Sequence, residues 1–98
     1  KTDLVMALAV VHHLAIGRNI PFSSIAKLFL QLGKTLIVEF IPREDEKVQF
    51  MLTQKKDIYQ HYTETNFVQA FAGFYTIVKE CAVGNSGRKL FLMKPHEY

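Results

Sequence analysis

A single cysteine, Cys81, excludes an internal disulfide and fits a reducing compartment, so a cytoplasmic setting is expected. Long hydrophobic runs are missing too. The apolar stretch from Leu4 to Ile16 is too short to cross a bilayer and is interrupted by two histidines. No charged leader with a small-residue cleavage site precedes it, so neither a signal peptide nor a membrane partner is expected. Nor does charge of one sign dominate: the formal net charge is +3, and Lys55-Lys56 and Arg88-Lys89 are the only adjacent basic pairs. That is not the electrostatic footprint of a nucleic-acid binder, so nucleic acid is not an expected partner. Internal repeats and low-complexity linkers are absent. About half of the 98 residues are hydrophobic, which argues against disorder, and the length suits one domain or part of one.

What is there begins with Asp3-Leu4-Val5-Met6-Ala7-Leu8-Ala9-Val10, an apolar run ending in Val11-His12-His13-Leu14. Val and Leu on both faces predict a strand buried from both sides, as in the centre of a parallel sheet. Open α/β sheets bind ligands just beyond the carboxyl ends of such strands, which puts His12 and His13 where a ligand would lie. Alternation along a strand predicts that the two imidazoles do not share one face.

Gly17-Arg18-Asn19 marks a turn. Pro21 then opens a segment with Phe22, Ile25, Leu28, Phe29 and Leu32 at helical spacing, and Gly33 is expected as its carboxyl-terminal cap. Thr35 to Ile41 is β-branched and closed by Pro42, a second buried strand, so strand, helix and strand form a crossover unit of a parallel sheet. The charged segment Arg43 to Lys47 leads into Val48, Met51 and Leu52, spaced for a short amphipathic helix. Thr63 caps a further helix carrying Phe67, Val68 and Phe71, which Gly73 ends. Phe74 to Val83 and Arg88 to Lys94, joined by Gly84-Asn85-Ser86-Gly87, predict an antiparallel hairpin. Cys81 within it is expected to pack.

The expected fold class is α/β: two parallel strands with a crossover helix, then a carboxyl-terminal antiparallel hairpin, residues 1–98 forming one unit. Such a unit leaves the edge of the Leu4 to Val10 strand unpaired, an aggregation hazard. A missing amino-terminal half or a partner chain is therefore expected there. The first residue is not methionine, and the chain is read as a piece of something longer.

This succession resembles the carboxyl-terminal half of a class I S-adenosylmethionine-dependent methyltransferase, a Rossmann-like sheet of order 3-2-1-4-5-7-6 with strand 7 antiparallel. The resemblance covers essentially the whole chain. It is carried most sharply by Ala9-Val10-Val11-His12-His13-Leu14 after the Asp-Leu-Val strand start, similar to the His-His-Leu ending of the fourth strand in many small-molecule methyltransferases. The Asn/Asp-Pro-Pro-aromatic tetrapeptide of enzymes that methylate base amino groups is absent. The Met-Ala-Leu-Ala strand, Ile-Val-Glu-Phe-Ile-Pro and Arg-Lys-Leu-Phe-Leu-Met-Lys also resemble a bacterial group labelled nodulation-protein methyltransferases.

The resemblance implies methyl transfer from S-adenosylmethionine to a small-molecule acceptor. It implies a wall of Ala7, Leu8 and Ala9 near the cofactor's methionine portion, and Glu39, Tyr59 and Tyr62 near the acceptor. His12 and His13 are the candidate general bases, beside the alternative that they cap the strand or pack. No metal site is expected, since no further ligand stands at recognisable spacing. The family's glycine-rich first loop and the acidic residue after its second strand are absent, so this chain alone is expected to be inactive and to need its missing amino-terminal half. The alternative function is a non-catalytic Rossmann-like interaction domain; an RNA-modifying role would need a continuous basic surface.

Overall fold

The structure, a computed structural model, describes residues 2–54 and 60–96. Strand β1 (Thr2–Ala7) is followed by a π-helical turn (His13–Gly17), helix α1 (Phe22–Leu32) and strand β2 (Gly33–Phe40). Helices α2 (Glu46–Gln54) and α3 (Glu64–Ala72) come next, then strands β3 (Tyr75–Ala82) and β4 (Lys89–Pro95). The result is a mixed α/β fold on a four-stranded sheet of order β1-β2-β4-β3. β1 runs parallel to β2, and β4 lies antiparallel between β2 and β3.

Each element has a local cause. Thr63 caps α3 by accepting a hydrogen bond from the Asn66 amide at 3.1 Å, satisfying one of the free amides of the first turn. The hairpin turn needs left-handed backbone at Gly84 (φ 56°) and Gly87 (φ 80°), which glycine adopts without a Cβ penalty. Gly33 caps α1 as expected, its amide donating to the Phe29 carbonyl, and has a second job. It is extended and opens β2, where a Cβ would stand 2.5 Å from Val5 Cγ2 and 2.8 Å from Thr2 Cγ2. Close approach of β1, not a turn, is what requires glycine at this position.

Alternation divides the sheet into two unlike faces. Leu36, Val38 and Phe40 of β2 and Phe91 and Met93 of β4 are buried in the core with Phe22, Ile25 and Phe29 of α1 and Phe67 and Phe71 of α3. Aromatic rings dominate this layer: Phe67 has its centroid 4.5 Å from Phe71, 4.9 Å from Phe40 and 5.5 Å from Phe91. The opposite face is open. Leu4 and Met6 are exposed, and Ile37, Leu90 and Leu92, on the same side as Met6, are only half-buried.

This corrects the expectation of a first strand buried on both sides. β1 is an edge strand whose Val5 and Ala7 alone turn inward, and Met6 is 59 % exposed. Its apolar run continued beyond the strand, so composition could not mark the end. Cys81 is likewise exposed on β3 and does not pack. The second strand, the three helices and the hairpin form where spacing and turn residues predicted them.

Candidate functional site

β1 leaves the sheet after Ala7, through a bend at Leu8 and Ala9. Ala9 sits in the left-handed region at φ 56°, a conformation costing a residue with a Cβ roughly 1–2 kcal/mol. Its amide donates to Glu39 Oε1 at 2.8 Å, so the carboxylate near the end of β2 holds the exit of β1 in place. The charge inside an otherwise apolar strand thereby finds its use. From Val10 the backbone coils: the Leu14 amide donates to the Val10 carbonyl at 3.1 Å and the Arg18 amide to the His13 carbonyl at 3.0 Å. π-Helical turns of this kind are rare and concentrate at functional sites.

His12 and His13 therefore lie on a helical coil beyond the strand, which corrects the expectation that they end it on opposite faces. Their rings are neighbours, with centroids 4.1 Å apart and planes inclined by 35°. Their environments differ sharply. His12 is 1 % exposed, and neither ring nitrogen has a hydrogen-bond partner among the described residues. Burial, reinforced by His13, Arg88 and Lys47 and only partly opposed by Asp45, pushes its pKa down to about 4. It is a neutral imidazole at neutral pH. His13 is exposed, so of the two it alone meets solvent.

An ion pair closes the same end of the sheet. Arg88, at the foot of β4, donates from Nε to Asp45 Oδ2 at 2.9 Å and from Nη2 to Asp45 Oδ1 at 3.3 Å. This fork tethers the hairpin to the start of α2, where Asp45 Oδ1 also accepts from the Lys47 amide at 2.9 Å. The guanidinium holds the Asp45 carboxyl below its ordinary range. Asp45 and Arg88 stand 43 positions apart, and nothing in the sequence couples them.

Beyond His13 opens a groove of about 380 Å³ lined by His13, Glu46, Lys47, Phe50 and Met51. Met51 also packs towards Gly17 of the π-helical turn, fixing α2 against the coil that carries the histidines. Sequence reasoning placed Met51 on the apolar stripe of α2 and passed over Phe50, which lies off that stripe and is 65 % exposed. A bare aromatic on the polar side of an amphipathic helix was the available signal.

The remaining candidates are scattered. Ala7 is buried, Leu8 and Ala9 are exposed at the bend, and together they form the lip between β1 and Glu39. Tyr62 is a core residue. Its ring stacks on Phe40 at 5.2 Å, its hydroxyl donates to the Ile41 carbonyl at 2.6 Å, and it borders a separate cavity with Pro42, Arg43 and Glu44. Tyr59 lies outside the described residues. Among the described residues no group of three or more His, Cys, Asp or Glu side chains is placed to hold a metal ion, and no helix is long and apolar enough to cross a membrane.

Comparison with known proteins returns one informative similarity. The chain is 36 % identical over 97 residues to Nodulation protein NoeA of Rhizobium meliloti (strain 1021), a match covering 99 % of this chain. It spans about a fifth (20 %) of that relative's length. No protein-family model matches the chain, and no solved structure matches it.

Proposed function

We propose that this chain is the carboxyl-terminal half of a Rossmann-like, S-adenosylmethionine-dependent methyltransferase domain acting on a small-molecule acceptor. The observation that carries this reading is the sheet. Its order, β1-β2-β4-β3 with β4 antiparallel, corresponds to the 4-5-7-6 end of the sheet that the resemblance implies. Support comes also from the placement of His13, Glu39 and the Ala7 to Ala9 lip at the carboxyl ends of two parallel strands, where open α/β sheets bind ligands. The open face and free edge of β1 are where the rest of the domain would pack.

The residues present fit one wall of a donor site. Ala7 and Ala9 are small enough for close approach, and the Glu39 hydrogen bond fixes the bend. S-adenosylmethionine supplies an activated methyl group when bound, so positioning is the main demand on the protein. In this reading Ala7, Leu8 and Ala9 shape the wall and His13, exposed at its rim, takes the acceptor's proton. A placed general base is worth roughly 10²–10⁴-fold in rate. His12, buried and neutral, positions His13 by ring contact and has no path to an acceptor.

Calorimetric titration of the full-length protein with S-adenosylhomocysteine tests the proposal. Saturable binding of one ligand per domain is expected, and no binding would overturn it. The second reading, a non-catalytic interaction domain, is favoured by the apolar open face of the sheet and predicts no binding in that titration.

A further inference from the structure

We infer that the groove between the π-helical turn and α2 is a binding site for a planar aromatic ring carrying a hydroxyl. At about 380 Å³ it falls within the roughly 300–1,000 Å³ of small-ligand sites and has room for a bicyclic ring system. Its walls are the Phe50 ring, the Met51 thioether and the His13 imidazole, with Glu46 and Lys47 at the rim. Each wall has a preferred partner: aromatic rings stack on or abut Phe, and thioethers sit favourably near aromatic rings. A flexible acyl chain would gain contact area here but none of these directional contacts.

Phe50 strengthens the case. It is 65 % exposed on a helix whose buried side is already supplied by Val48 and Leu52, so core packing does not account for it. Lys47 and Glu46 offset one another in charge, which favours a neutral ligand. Among the described residues His13 is the one imidazole lining the groove, and its ring nitrogens can bind a hydroxyl on the ring's edge. Only the identification of this ring as the methyl acceptor rests on the methyl-transfer reading; binding itself does not.

The test uses 2-naphthol, without any methyl donor, on protein labelled with ¹³C-methyl methionine. Met51 reports the groove, Met6 the open face of the sheet and Met93 the core, each signal assigned by a Met→Leu replacement. The expected result is a saturable shift of Met51 with Met6 and Met93 unmoved. Phe50→Ala, at an exposed position, should weaken binding at least tenfold while Leu28→Ala on the exposed side of α1 leaves it unchanged. His13→Ala should erase the preference for 2-naphthol over 2-methoxynaphthalene. An unmoved Met51, an equal shift at Met6, or undiminished binding by the Phe50 variant would overturn the inference. Because no donor is present, failure here is separable from failure to bind S-adenosylhomocysteine.

Discussion

Acidification from neutral pH should destabilise this protein through His12. The ring is 1 % exposed, has no partner for either nitrogen and faces the cationic Arg88 and Lys47, so the fold disfavours its protonated form. An unfolded-state pKa of 6.5 and a folded-state pKa of about 4 mean that the unfolded chain binds the proton first as pH falls. The stability contributed by neutral His12 is thus complete above pH 6.5, declines between 6.5 and 4, and is lost below. Integrating over that window gives a loss of about 2 kcal/mol between pH 7 and pH 5 and about 3 kcal/mol once both states are protonated. Urea unfolding at several pH values, compared with His12→Leu, isolates this contribution, because every other group is common to the two proteins. The variant should be at least as stable at pH 7, since it buries no unpaired nitrogen, and should show a flatter pH profile. Parallel profiles, or an NMR titration of the His12 ring with a midpoint near 6.5, would refute the reasoning.

Two tyrosines should respond oppositely to loss of their hydroxyls. Tyr62→Phe forfeits the bond to the Ile41 carbonyl and should cost about 1 kcal/mol, whereas Tyr75→Phe removes a buried hydroxyl without a partner and should be neutral or stabilising by thermal unfolding. Burial raises both phenols, that of Tyr75 to about 12, so neither should ionise in a spectrophotometric titration until the pH is well above 10. Gly33→Ala would drive a methyl into Val5, Thr2 and the Thr2 carbonyl, costing about 1–3 kcal/mol, and Val5→Ala in the same chain should recover part of the loss. Glu39→Ala frees the Ala9 amide and should cost about 1 kcal/mol, with faster amide exchange at Ala9 as its specific sign.

Much of the architecture was legible because its signals are local. Helical spacing in α1, the Thr63 cap and the Gly84 to Gly87 turn each satisfy nearby backbone groups, and the structure uses them as their chemistry suggests. The end of β1 was not legible. Leu8 to Val11 continue the apolar pattern through a bend and into a helical coil, and Ala9 carries no mark of its left-handed backbone. Contacts between distant segments were hidden for the same reason. The Asp45–Arg88 fork, the Ala9–Glu39 bond and the stacking of Tyr62 on Phe40 depend on how elements meet. Of the candidate site, the sequence marked His13 and the lip beside it, but missed that α2 would face His13 across a groove.

The central claim is that the end of β1 forms one wall of a methyl-donor cleft. Amide hydrogen exchange on the full-length protein, with and without S-adenosylhomocysteine, tests it at the residues concerned. The account predicts slowed exchange over residues 7–14 and at the end of β2 on ligand addition, with β3 unchanged. Unaltered exchange over residues 7–14 in the presence of bound ligand, with protection elsewhere, would contradict it.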